Sequence, residues 1–195
     1  MGNSSSAAPG CVVFDAMGVL YSAADDEAAL LRPYLAKLGC RLTPAEIHEL
    51  YLPASLGRMS SGQFWAACGV AGDDGAYCQS HQLTPGISEV LAELAGRGVR
   101  LACLSNDVSE WSRRLRERFG LTRWIDTWVI SGDIGVRKPD PAAYAALTAA
   151  TGVRPEDTVF FDDQPRNVSA ARAAGLDAHV FTGLGTVASV LTQSK

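Results

Sequence analysis

The sequence predicts an α/β fold, a doubly wound parallel sheet interrupted by a small helical insert. Three observations carry this expectation. Short apolar runs without polar interruption recur along the chain, as strands buried on both faces require. Helical periodicities separate these runs, and such alternation argues a parallel sheet covered on both sides. Over residues 22–83 the rhythm stops and only helical signals remain.

The elements follow in chain order. Residues 1–10, MGNSSSAAPG, read as a flexible tail of small residues. Gly2 and Ser6 fit an N-terminal acylation pattern, without a polybasic patch to support an anchor. CVVFD, 11–15, is the first strand. In the insert, Leu30, Leu31, Tyr34, Leu35 and Leu38 form one amphipathic helix. Thr43-Pro44-Ala45-Glu46 is a capping box ahead of Ile47, Leu50 and Tyr51. Ser60 to Gln63 is a weaker one ahead of Phe64 and Trp65. Thr84-Pro85 then predicts a helix start, with Ile87, Val90, Leu91 and Leu94 as its stripe and Gly98 beyond its end.

VRLACLS, 99–105, is the second strand. Trp111, Leu115 and Phe119 recur every four residues on the next helix. TWVIS, 127–131, is the third strand, and Asp140-Pro141 opens a helix bearing Tyr144 and Leu147. DTVFFDD, 157–163, is the fourth strand. A helix over 167–174 closes at Gly175. DAHVF, 177–181, is a weaker fifth strand, and GLGTVAS, 183–189, reads as a loop into a terminal helix. The expected layout is a Rossmann-like core from 11–21 and 84–195, with a helical unit at 22–83.

Composition narrows the function. The chain has 195 residues, 47% hydrophobic and 19% charged, which suits one globular domain with an insert. A net charge of −4 gives no general attraction to nucleic acid or anionic membranes. No run of 18 apolar residues offers a membrane span. Five cysteines, an odd number without a CxxC pair, suit reduced thiols in a cytoplasmic protein. The expected partner is a small-molecule substrate, and the expected assembly a monomer or homodimer. The basic cluster Arg113, Arg114, Arg116, Arg118 and Arg123 reads as the solvated face of a helix. His48, His81 and His179 lack metal spacing and read as surface or core residues.

In open α/β sheets ligands bind beyond the carboxyl ends of the strands. The first strand ends in Asp15, the second in Ser105-Asn106-Asp107, and the fourth in Asp162-Asp163. Lys138 precedes a helix start in GDIGVRKPDP. Carboxylates gathered at one edge repel each other unless a cation joins them, and oxygen ligands favour Mg²⁺. A lysine and a hydroxyl can hold phosphate oxygens, and an aspartate can attack phosphorus.

Four stretches in this order resemble the haloacid dehalogenase superfamily, most of whose members are Mg²⁺-dependent phosphatases. VVFDAMGVLY is similar to the first motif, and its match makes Asp15 the nucleophile. LACLSND resembles the second, with Ser105 and Asn106 on the transferring group. GVRKPDPAAY resembles the third, with Lys138 neutralising nucleophile and phosphate. VFFDDQPRNVSAARAAG resembles the fourth, with Asp162 and Asp163 as the acidic pair at the metal. Asn167 stands where the family often has a residue that positions the lysine. The insert at 22–83 resembles the family's small cap after the first motif.

One position departs from the resemblance. Family phosphatases carry a second Asp two residues after the nucleophile, which moves protons while its backbone carbonyl binds metal. Here Met17 keeps the carbonyl and lacks the carboxyl. The implied metal set is Asp15, Met17, Asp162 and Asp163. Losing a general acid costs about 10²- to 10⁴-fold, most for poor leaving groups. Three alternatives follow: a phosphohydrolase for good leaving groups or with a recruited acid, a dehalogenase-like hydrolase of another bond, or a degenerate binding protein. Asp25, Asp26 and Asp107 are candidate substitute acids. Phe64 and Trp65 form either the core of the insert or, beside Met17, an apolar mouth.

Overall fold

The computed structural model describes residues 9–193, so Gly2, Ser6 and most of the expected tail lie outside the described residues. The first strand, β1, is Cys11–Phe14. A π-helical turn over Glu27–Leu31 then runs into α1, Arg32–Lys37. Three more helices follow in the insert: α2 (Pro44–Ala54), α3 (Ser61–Ala67) and α4 (Asp74–Cys78). The chain continues with α5 (Ile87–Gly96), β2 (Leu101–Ser105), α6 (Ser109–Arg118), β3 (Thr127–Ile130) and the single turn α7 (Ser131–Ile134). It ends with α8 (Pro141–Thr151), β4 (Thr158–Asp162), α9 (Pro165–Ala173), β5 (Asp177–Val180) and α10 (Leu184–Gln193).

All five strands pair in parallel, in the order β3-β2-β1-β4-β5. Both faces are covered, which is why the strands read as unbroken apolar runs. Val13, Ala102, Leu104 and Phe160 pack on one face against Tyr144, Leu147 and Val168 of α8 and α9. Val12, Phe14, Cys103 and Phe161 pack on the other against Leu91, Trp111 and Leu115 of α5 and α6. After β3 the chain crosses back to the far side of β1. The order therefore reverses between β1 and β4, and a crevice opens at their carboxyl ends.

Both expected capping boxes form: Thr43 with Glu46, and Ser60 with Gln63. The short α4, capped by Asp73, has no apolar periodicity to announce it. One expected start is displaced. Thr84-Pro85 does not open α5, which begins at Ile87 after a left-handed Gly86 with φ 82°. The returning chain bridges Tyr21 through Leu83, and the Thr84 N–H donates to the Leu20 carbonyl at 2.9 Å. That pairing holds 83–84 extended, so the helix starts only after the glycine turn.

Phe64 and Trp65 are buried and do not line the site cavity, which removes the apolar-mouth alternative. They form an aromatic cluster with Tyr34, Tyr77 and Trp111. The indole N–H groups of Trp65 and Trp111 both donate to Asp74 Oδ1 at 2.8 Å. Since Trp111 lies on α6, Asp74 ties the insert to the sheet layer. The basic residues beside it are individually engaged. Arg118 donates to the carbonyls of Cys78 and His81, Arg114 faces Asp74, and Arg116 and Arg123 cover Trp128 and Trp124. Among the described residues no helix is long and apolar enough to cross a membrane.

Candidate active site

The ends of β1, β2 and β4 are neighbours, so the residues that follow them converge. Asp15 directly follows β1 and is pinned by its own N–H on the Phe161 carbonyl at 2.8 Å. The Ala16 N–H donates to Asp15 Oδ1 at 2.7 Å. Ser105 ends β2 and Asp162 ends β4. Lys138 enters from the loop between α7 and α8.

Lys138 spends all three of its ammonium protons. Its Nζ lies 2.7 Å from Asp15 Oδ1 and 2.6 Å from Asp162 Oδ2, and it donates to the Leu104 carbonyl at 2.7 Å. Asn106 grips the same residue by its backbone. Its Nδ2 donates to the Lys138 carbonyl at 2.9 Å, and its Oδ1 accepts from the Lys138 N–H at 2.8 Å. Asn167 acts at one remove from the lysine. Its Nδ2 donates to both Asp162 oxygens, at 3.0 and 3.1 Å, and the Gln164 N–H donates to Asp162 Oδ1 at 2.8 Å.

The charges follow from burial and these contacts. Burial raises the Asp15 carboxyl above the ordinary aspartate range; Lys138 opposes this and Asp162 adds to it. For Lys138, burial alone would favour the neutral amine, but Asp15 and Asp162 outweigh it and raise its pKa. The lysine therefore stays protonated. Burial and then Asp162 raise the Asp163 carboxyl, with the Gln164 side chain opposing.

The donor set fits a hard divalent cation. Asp15, Asp162 and Asp163 each bring an oxygen within 4.8 Å of the others, and one lysine cannot balance three carboxylates. Asp162 is fully buried with both oxygens engaged, whereas Asp15 and Asp163 open on the cavity. Gly18, at φ +76°, allows the Met17 loop to approach. A Cβ there would lie 2.6 Å from Asp163 Oδ2 and 3.1 Å from the Ala24 Cα. Ser105 Oγ is buried and has no hydrogen-bond partner among the described residues, so it is free to donate to a ligand oxygen.

These groups face a cavity of about 350 Å³. Asp15, Met17, Ser105, Asn106, Lys138 and Asp163 all line it, while Asp162 stands behind Lys138. The opposite wall comes largely from the insert: Asp26, Glu27, Arg32, His48 and Tyr51. Glu27 binds both Arg32, at 2.6 Å, and the His48 Nδ1, at 2.7 Å. His48 is thus a cavity residue, although its spacing carries no sign of this. Arg137 and Arg166 complete the rim. Arg137, next to Lys138, and Arg166, next to Asn167, both carry a positional hint in the sequence.

A cavity-facing carboxylate, a buried lysine and a free hydroxyl thus meet at the switch point of a doubly wound sheet. Residues 10–175 match the haloacid dehalogenase-like hydrolase family, and the chain belongs to it. It is 30% identical over 192 residues to phosphoglycolate phosphatase 1 of Pseudomonas aeruginosa, covering 89% of this chain and 70% of that one. It is 36% identical over 99 residues to phosphoserine phosphatase of Thermus thermophilus, covering 50% of this chain and 40% of that one. The magnesium complex of a HAD family enzyme from Bacteroides thetaiotaomicron shares the fold, with TM-score 0.74 and 18% identity over 90% of this chain and 94% of that one.

Proposed function

We propose that the chain is a Mg²⁺-dependent phosphohydrolase acting through Asp15 on a small phosphorylated carboxylic acid. One observation carries this: a buried lysine bridges a cavity-facing aspartate and a second carboxylate, beside an unpartnered serine hydroxyl. Ser105 Oγ and the Lys138 charge would hold the phosphoryl oxygens. Asp15 would attack phosphorus, forming an aspartyl-phosphate as the bond to the leaving oxygen breaks, and water would then cleave it. Mg²⁺ held by Asp15, Asp163 and the Met17 carbonyl would neutralise the carboxylates and the phosphate. Asp162 and Asn106 would keep Lys138 in place, Asp162 in turn held by Asn167.

The substrate class rests on the cavity and on the named relatives. Phosphoglycolate and phosphoserine are small phosphate monoesters with a carboxylate. Arg137 and Arg166 line the cavity as cations without an ion-pair partner among the described residues, Arg166 exposed, whereas Arg32 is paired with Glu27. Residues 22–83 serve as the cap that selects the substrate. The five free cysteines favour a cytoplasmic setting.

Steady-state hydrolysis of acetyl phosphate with Mg²⁺ tests this reading, since an acyl phosphate needs little proton donation. Turnover in the wild type, loss with EDTA and loss in Asp15→Asn are expected. Absence of turnover of both acetyl phosphate and phosphoglycolate overturns it, in favour of carbon-centred hydrolysis or binding without turnover.

A further inference from the structure

A phosphate monoester leaves as an alkoxide and needs a proton, which Met17 cannot give. We propose that Asp26, from the loop at the start of the insert, is the catalytic general acid and base that substitutes for the missing carboxyl at position 17. This rests on the phosphohydrolase reading above.

The carboxyls around the cavity sort themselves by geometry. Asp107 is 1% exposed and does not reach the cavity. Asp25 is exposed, and its Oδ1 accepts from the Ala28 N–H at 2.9 Å as a local turn. Both Glu27 oxygens are taken, by Arg32 and His48. Asp26 alone is both buried, at 7% exposed, and on the cavity wall without an ion-pair partner among the described residues. Its contact is a neutral one, the Tyr77 hydroxyl donating to Oδ2 at 3.2 Å.

Its loop is in the right place. A Cβ on Gly18 would lie 3.1 Å from the Ala24 Cα and 2.6 Å from Asp163 Oδ2. The Met17–Gly18 loop therefore touches both Asp163 and the Ala24 backbone, and Asp26, two residues after Ala24, lines the same cavity as Asp15 and Asp163. Tyr77 of α4, Tyr51 of α2, Asp107 after β2 and the adjoining Asp25 surround the Asp26 carboxyl. Burial raises its pKa to about 6, with the Tyr77 hydroxyl opposing and Asp25 adding, which suits transfer in either direction near neutrality. In the first half-reaction the Asp26 carboxylic proton goes to the leaving oxygen as the O–P bond breaks and the Asp15–P bond forms. In the second, the Asp26 carboxylate takes a proton from the water that attacks phosphorus, and Asp15 leaves as a carboxylate.

The test compares kcat/KM for phosphoglycolate and acetyl phosphate in wild type, Asp26→Asn and His48→Gln, with urea melts of each. The expected result is a loss of about 10²- to 10⁴-fold on phosphoglycolate in Asp26→Asn against less than about tenfold on acetyl phosphate. The acetyl phosphate arm shows that the variant is folded. Equal losses on both substrates, or no loss on either, overturn the role of Asp26 while the phosphohydrolase reading stands. So does a selective loss in His48→Gln and not in Asp26→Asn. A wild type inert on both substrates overturns the phosphohydrolase reading and this proposal together.

Discussion

Lys138 and Asp15 form an ion pair of 2.7 Å that solvent barely reaches, the two side chains being 1% and 9% exposed. Removing one partner of such a pair strands the other charge, at a cost of about 3–5 kcal/mol. Lys138→Met strands two, since Asp162 loses its partner as well. Its unfolding free energy in EDTA should fall by about that amount in a urea titration, and turnover of acetyl phosphate should fall by at least about 10²-fold. Lys138→Met combined with Asp162→Asn should regain part of the stability and none of the activity. A single variant as stable as the wild type would show that the pair is not dry.

Gly18 lets two loops touch beside Asp163, at the proposed metal end of the site. Alanine there meets Asp163 Oδ2 at 2.6 Å and must also hold φ +76°. The left-handed backbone alone costs about 1–2 kcal/mol, which corresponds to roughly tenfold in an equilibrium. Gly18→Ala should therefore lose about that much stability in urea unfolding, and the Cβ contact with Asp163 Oδ2 should raise the Mg²⁺ needed for half-maximal activity. An unshifted Mg²⁺ titration would remove Asp163 from the metal site.

How far the sequence carries this architecture depends on the kind of contact. The strands are legible because both faces are buried, so Val12, Val13 and Phe14 are all apolar. Asp15, Ser105 and Asp163 are legible because a parallel sheet sends its strand ends to one side, and Lys138 because its loop, just before a helix start, resembles the third family motif. The far wall of the cavity is not. Asp26 is one of three acids that the sequence offers without ranking them, while Arg32, His48 and Tyr51 reach the wall through the way the inserted helices dock, and docking leaves no spacing in the chain. The false start at Thr84 has the same origin. Thr-Pro is a sound local cap, overridden by the Thr84 N–H to Leu20 carbonyl bond made over a long loop.

Asp74 should matter to stability and not to specificity. It accepts from the Trp65 and Trp111 indoles and from the Ser61 hydroxyl at 2.8 Å. Hydrogen bonds to a charged group contribute about 1.5–3 kcal/mol each, and lost partners leave N–H groups buried. Asp74→Ala should lose about 3 kcal/mol or more in urea unfolding. Trp65→Ala should lose about 3–5 kcal/mol. Neither residue lines the cavity, so the ratio of kcat/KM for phosphoglycolate to that for acetyl phosphate should stay within about threefold of wild type. A reordered preference would return Trp65 to the substrate pocket.

His81 should give the fold an acid-sensitive component. Its ring is 1% exposed and packs edge-on against Tyr21 and Tyr77. Burial lowers its pKa from 6.5 to about 4; the Tyr77 backbone opposes this and the Arg118 guanidinium adds to it. Between those values the unfolded chain binds a proton that the folded chain refuses. The contribution is fully present above about pH 6.5 and is lost as the pH falls towards about 4, up to about 3 kcal/mol at 1.36 kcal/mol per pH unit. Asp26 works in the opposite sense, since its raised pKa favours the folded state as the pH falls. Asp15, Asp107 and Asp163, whose carboxyls burial also raises, act in the same sense as Asp26, so a difference between variants is needed to isolate His81. His81→Phe keeps a ring in place and removes the titrating group. In urea melts from pH 7.5 to 4.5, its stability relative to wild type should climb steadily as the pH drops. Parallel profiles would mean that His81 takes up its proton in the folded protein without cost.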